Sequence, residues 1–269
     1  MIDTTANLVI SKSNEVFLKV RTEPHIEYEL RDHFKFEVPN AKFMPQYRGR
    51  NWNGEIHLFD MRSKQIYVGL LDKIVQFCDH YGYTYKFEDN KFYGTPFEEN
   101  ENISMEGVKD YMNSICSHTP RKYQIEGVYG ALKHNRKLLI SPTASGKSLM
   151  IYSLVRYYVD RGEKILLVVP TTSLVEQMYK DFLDYGWDAD SYCHRIYSGR
   201  EKSNDAPVTI TTWQSVYKLD RSFFEEYGCI IGDEAHLFKS KSLIQIMTKL
   251  HHAKYRFGFT GTLDGTQTH

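Results

Sequence analysis

The chain has 269 residues, 41% of them hydrophobic and 25% charged, which are ordinary values for a globular protein. That length admits one large domain or two smaller ones and is ample to bury a sizeable core. Lysine plus arginine and aspartate plus glutamate each total 34, so the net charge of zero excludes a uniformly basic nucleic-acid coat but not a local basic patch.

In chain order, residues 8–11 and 15–20 alternate around Lys12-Ser13-Asn14, which predicts a β-hairpin. Thr22-Glu23-Pro24 reads as a helix start, with Thr22 as the cap and Pro24 in the first turn, and Ile26, Leu30 and Phe34 follow at helical spacing. Asn53-Gly54 marks a turn between Trp52 and the alternating Ile56 and Leu58. A helix over 70–80 and a strand over 83–87 complete a small α+β region. Residues 85–106 are then rich in acidic side chains, with Gly94, Pro96, Asn100 and Asn102, and read as a linker running into a short helix near 104–114. Beyond it the pattern becomes strand–helix–strand. Apolar strands are predicted at 138–141, 165–170, 208–211, 229–232 and 256–260, with helices at 148–160, 174–185 and 242–250. Continuously apolar strands are buried on both faces, so this half is expected to be an α/β domain with a parallel sheet flanked by helices. The predicted organisation is an α+β accessory domain over 1–100, a linker and short helix over 101–118, and the α/β domain over 119–269.

No apolar run approaches the roughly 18 residues of a membrane span. Met1-Ile2-Asp3-Thr4-Thr5 has no signal-peptide character. The 4 cysteines, Cys78, Cys116, Cys193 and Cys229, are far apart and form no CxxC pair. A reducing cytoplasm fits these features better than a disulfide framework or a zinc site does. His251-His252 reads as an exposed helix end, Tyr157-Tyr158 as packing, and residues 134–137 as a solvated turn.

Ser141-Pro142-Thr143-Ala144-Ser145-Gly146-Lys147-Ser148 leaves a predicted strand and opens a predicted helix. It matches the phosphate-binding pattern GxxxxGK[ST] except that Ser141 stands at the first glycine. Successive backbone N–H groups of such a loop, with the helix N-terminus behind them, form an anion nest. Gly146 permits close approach of the phosphates, Lys147 supplies a charge for the β and γ oxygens, and the Ser148 hydroxyl suits Mg²⁺. A Gly-Lys-Ser also arises by chance at helix starts; the strand before it and the helix after it are the context that favours the phosphate reading.

Residues 229–232 form an apolar strand that ends in Asp233-Glu234-Ala235-His236. An acid at the C-terminal end of a buried parallel strand lies in the ligand crevice. Asp233 can hold Mg²⁺ through water, Glu234 can orient and deprotonate an attacking water, and His236 can relay nucleotide state. A solvated Asp-Glu at a helix start is the alternative, and the phosphate loop upstream weighs against it.

Residues 41–64 carry Lys42, Arg48, Arg50, Arg62 and Lys64 against Glu55 and Asp60, on a domain that is otherwise acidic, and Phe43, Tyr47 and Trp52 are interleaved. Cations for phosphates beside aromatic faces for bases suit nucleic acid. The competing reading keeps Phe43 and Trp52 in the core and the cations on a solvated loop.

A phosphate loop, then Asp-Glu-Ala-His, then Thr260-Gly261-Thr262 is an order that resembles the superfamily 2 helicases. Three further features of that family find counterparts. Arg121-Lys122-Tyr123-Gln124 is similar to the adenine-reading segment, in which the resemblance implies that Gln124 bonds the adenine edge, while Tyr123 reads either as stacking on the adenine or as a buried residue. Thr171 and Thr172, in Pro170-Thr171-Thr172-Ser173-Leu174, match a strand-to-helix turn implied to contact a nucleic-acid phosphate. Thr212, Trp213 and Gln214 match the next such segment. Thr260, Gly261 and Thr262 match the segment that couples hydrolysis to nucleic-acid binding. These matches cover about residues 119–264.

Residues 42–56, Phe77-Cys78-Asp79 with Tyr81-Gly82-Tyr83, and Asn204-Asp205-Ala206-Pro207-Val208 narrow the resemblance to the UvsW-type recombination helicases of T4-like bacteriophages. It implies a RecA-like lobe, ATP and Mg²⁺ as cofactors, and branched DNA as substrate: forks, Holliday junctions, D-loops and R-loops. It further implies a monomer in the cytoplasm of a bacterial host, with no protein partner evident. The family's second RecA-like lobe and its arginine finger fall outside these 269 residues, as in an experimental fragment or a truncated gene. A chain of this extent is therefore expected to bind ATP but hydrolyse it poorly. Another superfamily 2 motor, either a duplex translocase or an RNA helicase, and a non-catalytic nucleic-acid-binding module are the alternatives.

Overall fold

The computed structural model describes residues 6–142, 145–197 and 205–261. The chain divides into two compact units, Met1–Phe97 and Glu98–His269.

The first unit opens with β1 (Leu8–Lys12) and β2 (Phe17–Thr22), paired antiparallel. Their turn is fixed by Asn14, whose Oδ1 accepts from the backbone N–H of Val16 at 2.7 Å and of Phe17 at 2.9 Å. Lys12 and Glu15 form a buried ion pair at 3.2 Å. Next come α1 (Pro24–His33), β3 (Lys35–Glu37), α2 (Pro45–Arg48), β4 (Glu55–His57), β5 (Gln65–Tyr67), α3 (Leu71–Tyr81) and β6 (Tyr85–Glu88). The main sheet runs β5-β2-β1-β6, with β6 parallel to β1, while β3 and β4 pair separately. Strand alternation turns Leu8, Ile10, Leu18 and Val20 to one face, where they form a single core with Ile26 and Leu30 of α1 and Ile74 and Phe77 of α3.

One local expectation changes here. Thr22 does not cap α1; its hydroxyl donates to the Asn7 carbonyl at 2.7 Å, and α1 starts on Pro24 without a side-chain cap. The turn at Asn53-Gly54 is present, with Gly54 at φ 86°, and it leads into β4, which pairs with β3 across the intervening α2.

The second unit comprises α4 (Met105–Ile115), α5 (Lys122–His134), β7 (Arg136–Ile140), α6 (Lys147–Val159), β8 (Ile165–Val169), α7 (Thr172–Asp184), α8 (Ala189–Tyr192), β9 (Cys193–Ile196), β10 (Val208–Thr212), α9 (Trp213–Val216), α10 (Arg221–Glu225), β11 (Cys229–Gly232), a 3-10 turn (Ala235–Lys239), α11 (Lys241–Lys249) and β12 (Tyr255–Thr260). Its six strands are all parallel in the order β7-β12-β11-β8-β10-β9. The continuous apolar runs divide by parity. Ile165, Leu167, Val169, Cys229 and Ile231 face a core shared with α4 to α7, while Leu166, Val168 and Ile230 face a second core with Val216, Phe224, Leu243 and Ile246. Both sheet faces are thus covered, as unbroken apolar strands require. Helix α4 is capped by Ser104, whose Oγ accepts from Gly107 N–H at 3.1 Å, and it buries Val108 and Met112 in the first of these cores. The stretch expected as a solvated turn at 134–137 instead ends α5 and begins β7 at Arg136. Tyr157 and Tyr158 are core residues. Among the described residues no helix is long and apolar enough to cross a membrane.

Phe182 is fully buried, with its ring 5.4 Å from that of Tyr152 and 5.9 Å from that of Trp187. Phe182→Ala is expected to cost about 3–5 kcal/mol, read as a lower urea midpoint by indole fluorescence; an unmoved midpoint would mean that this ring does not hold the core.

Candidate nucleotide-binding site

The phosphate loop follows β7, whose register against β12 continues as Ser141 N–H donates to the Thr260 carbonyl at 2.8 Å. Ser141 is buried, and its hydroxyl bonds to that of Ser145. Pro142 O accepts from Ser145 N–H at 3.2 Å and from Ser145 Oγ at 2.6 Å. The mismatch at the first glycine is therefore accommodated: the serine faces inward and ties the two ends of the loop together. Gly146 caps α6 at φ 76°, and a Cβ there would lie 2.4 Å from the Gln124 amide. The conformation demands glycine, and any larger residue would also have to displace the Gln124 amide. Thr143 and Ala144 lie outside the described residues.

Tyr123 and Gln124 come to this loop from the first turn of α5. Gln124 is buried; its Oε1 accepts from Arg121 N–H at 2.8 Å, and its amide donates to the carbonyls of Ser145 at 3.0 Å and Gly146 at 3.4 Å. Tyr123 donates its hydroxyl to the Ser145 carbonyl at 2.6 Å while its ring stays exposed.

Lys147 is the first residue of α6 and reaches the end of β11. Its Nζ lies 2.8 Å from Glu234 Oε1 and 3.7 Å from Asp233 Oδ1. The shorter contact is a charge-assisted hydrogen bond and the longer one is electrostatic only. Asp233 Oδ1 is buried and accepts no hydrogen bond. Burial pushes the Asp233 carboxyl above the usual carboxylate range, with Lys147 opposing. Burial also works against the charge of Glu234, but its bond to Lys147 and the Lys147 charge outweigh it and hold that carboxyl low. Two adjacent acids are thus driven in opposite directions by their surroundings.

His236 follows on the 3-10 turn. Its Nδ1 lies 3.0 Å from Thr260 Oγ1 and 3.3 Å from Glu234 Oε2. Thr260 is fully buried at the end of β12, and the Gly261 backbone N–H adds a small contribution to holding the Glu234 carboxyl low. Thr262 lies outside the described residues. A continuous polar chain therefore runs from Lys147 through Glu234 and His236 to Thr260.

The buried, unpartnered Asp233 Oδ1 and the Ser148 hydroxyl are hard oxygen donors, and this set fits Mg²⁺ or its water shell. Ser148 Oγ also meets Tyr185 Oη at 2.7 Å. Tyr185 carries no motif signal and was not expected here; it stands far down the chain, and only the packing of α6 on α7 brings it in.

The remaining residues singled out in the sequence lie elsewhere. Thr171 caps α7, its Oγ1 accepting from Leu174 N–H at 3.3 Å, and with Thr172 it is exposed at the C-terminal end of β8. Thr212 is buried at the end of β10 with its hydroxyl 2.9 Å from Ser215 Oγ; Trp213 is half-buried against the second core and Gln214 is exposed. All of these share the C-terminal edge of the parallel sheet, where ligand crevices form. In the first unit, Lys42, Arg48 and Arg50 are exposed, as is Phe43 at 71%. Phe43 is thus not the core residue that the competing reading requires. Trp52 is half-buried and donates its indole N–H to the Glu55 carbonyl at 2.6 Å.

Residues 117–265 match the family described as type III restriction enzyme, res subunit, and residues 11–88 match the N-terminal family of DNA helicase UvsW. The chain is 34% identical over 257 residues to the ATP-dependent DNA helicase uvsW of Enterobacteria phage T4, across 91% of this chain and 50% of that protein. It therefore spans half the length of this relative. A DNA 3'-5' translocase of Sulfurisphaera tokodaii is 32% identical over 145 residues, across 53% of this chain and 30% of that protein. A crystal structure of the UvsW helicase from bacteriophage T4 superposes with a TM-score of 0.87 at 32% identity, covering 97% of this chain and 94% of that one. A second T4 UvsW structure gives 0.85 at 31% identity, over 95% of this chain and 53% of that one. With both units matched, the N-terminal one by the UvsW family itself, the chain belongs to the UvsW-like superfamily 2 helicases.

Proposed function

We propose that the protein acts as an ATP-dependent DNA helicase that remodels branched DNA, with residues 119–269 as its first RecA-like motor lobe and residues 1–100 as an accessory DNA-gripping domain. The observation that carries this reading is Lys147 held between Asp233 and Glu234 at the mouth of the phosphate loop. Such a cation beside paired acids has an evident task in ATP hydrolysis.

In this reading Lys147 leaves Glu234 to meet the β and γ phosphate oxygens, while the backbone of residues 142–148 cradles the phosphates. Ser148 and Asp233 hold Mg²⁺, whose contribution when bound is to neutralise charge on those oxygens. Freed from Lys147, Glu234 orients a water for in-line attack and takes its proton. Gln124 and the exposed ring of Tyr123 serve the adenine. His236 and Thr260, with Gly261 and Thr262, pass the state of Glu234 onward. Thr171, Thr172, Thr212, Trp213 and Gln214 face the DNA strand at the sheet edge. Lys42, Arg48, Arg50 and Trp52 grip DNA from the accessory domain. The protein works as a monomer in the cytoplasm of the bacterial host.

Lys147→Ala is expected to abolish ATP binding, measured by fluorescent-nucleotide titration; retained affinity would remove the phosphate-loop reading. Residues 1–269 alone are expected to bind ATP and turn it over slowly. In related nucleotidases a facing arginine is worth ~10³–10⁵ in rate, and the family resemblance assigns that arginine to a second lobe. Turnover at the rate of an intact helicase would contradict this.

For the accessory domain, Arg48→Ala with Arg50→Ala is expected to weaken DNA binding and lower the salt slope by up to about two. An unchanged slope would return these residues to a solvated loop. Binding to forked DNA, a Holliday junction, plain duplex, single strand and duplex RNA should favour the branched DNAs. Equal binding throughout, or a preference for RNA, would leave a motor lobe of another substrate class.

A further inference from the structure

We propose that Tyr185 and Asp181, at the C-terminal end of α7, are positioning residues that orient the Ser148 hydroxyl as a ligand for Mg²⁺. The inference rests on the nucleotide-binding reading above and adds residues that none of the motifs contains.

A serine hydroxyl has one proton and two lone pairs. To bind a cation it gives the metal a lone pair, and its proton must point away towards another acceptor. An unsupported hydroxyl rotates freely, so ligands of this kind gain from a partner that fixes the rotor. Ser148 has such partners on one side. Tyr185 Oη lies 2.7 Å from its Oγ, and the carboxylate of Asp181, one helical turn before Tyr185, lies near enough to Ser148 to be stabilised by its hydroxyl.

The support is itself rigid. Tyr185 closes α7 through its own N–H, which donates to the Asp181 carbonyl at 2.9 Å. Its ring is wedged 5.0 Å from Tyr152 and 5.6 Å edge-on from His118. Tyr152 does not compete for Ser148, because its hydroxyl donates to the Ile115 carbonyl at 2.8 Å and accepts from Arg156 at 2.9 Å. In the proposed arrangement Asp181 takes the Ser148 proton and Tyr185 donates to one lone pair, which leaves the second lone pair for the cation.

The test is an Mg²⁺ titration of a non-hydrolysable fluorescent ATP analogue on residues 1–269, comparing wild type, Tyr185→Phe, Asp181→Asn and Lys147→Ala. Tyr185→Phe keeps the ring against Tyr152 and His118 and removes only the hydroxyl. Both α7 variants are expected to raise the Mg²⁺ midpoint about tenfold, the lower end for outer-shell partners of a metal site, while affinity in EDTA and the thermal midpoint stay at wild-type values. An unchanged Mg²⁺ midpoint in both variants would overturn the proposal, as would equal losses with and without metal, which denote packing alone. Lys147→Ala separates the two levels. If it leaves analogue binding intact, the nucleotide reading itself fails, whatever the α7 variants do.

Discussion

Two carboxylates on consecutive residues at the end of a buried strand repel each other, and the fold answers with one cation. Lys147, only 14% exposed, stands within reach of both Asp233 and Glu234. At an effective dielectric near 20, a pair of unit charges 4 Å apart is worth about 4 kcal/mol, so the crevice is poorly balanced without this lysine. The lysine also comes from a different element than the acids. Helix α6 contributes the cation and β11 the carboxylates, and the ion pair links the start of one to the end of the other. In the proposed function a polyanion entering the loop competes for that same cation, so phosphate charge would weaken the hold of Lys147 on Glu234 and link the state of the phosphates to the freedom of that carboxylate.

Strand order gives this linkage its direction. Strands β7 and β11 are not neighbours; β12 lies between them. The loop after β7 and the acids after β11 consequently share the end of β12, where Thr260 bonds His236 and the Thr260 carbonyl accepts from Ser141. Glu234 itself occupies the left-handed region at φ 51°, a conformation that non-glycine residues adopt only under local constraint. That kink turns the chain from β11 into the 3-10 turn and brings His236 back over Thr260. The constraint thus falls on the residue whose carboxylate the reaction would use.

The parts of this arrangement that rest on strong local signals were legible in the sequence. Residues 165–169 and 229–232 are unbroken apolar runs, and their burial on both faces follows from that. Gly146-Lys147-Ser148 after a strand, and Asp233-Glu234 after another, fix the elements on which the site is built. The missed elements are short or mixed in polarity. Strand β9 is Cys193-His194-Arg195-Ile196, an edge strand half buried, and β5 has only three residues; neither is long enough to show a period. Helix α2, one turn starting on Pro45, is equally brief. Thr22 looks like a cap, but its hydroxyl is taken by Asn7, a tertiary partner that no local pattern reveals. Tyr185 is the same case at the site. Its role depends on how α7 lies against α6, which is decided by core packing and not by any residue near Ser148 in sequence.

Gln124 shows how tightly the two ends of the nucleotide site are joined. Its carboxamide has one oxygen and two N–H donors. The oxygen already accepts from Arg121, and the amide faces the carbonyls of Ser145 and Gly146. A base edge that draws on this amide takes a donor from the phosphate loop, and one that donates to its oxygen shares it with the start of α5. A Cβ at position 146 would meet the Gln124 amide at 2.4 Å, so this side chain and the loop are in close contact. In the proposed function, occupancy at the base end would thereby reach the backbone assigned to the phosphates. The exposed ring of Tyr123, tied to the same Ser145 carbonyl through its hydroxyl, gives the loop a second strut from α5. In the proposed site, base and phosphate recognition would therefore draw on the same loop contacts.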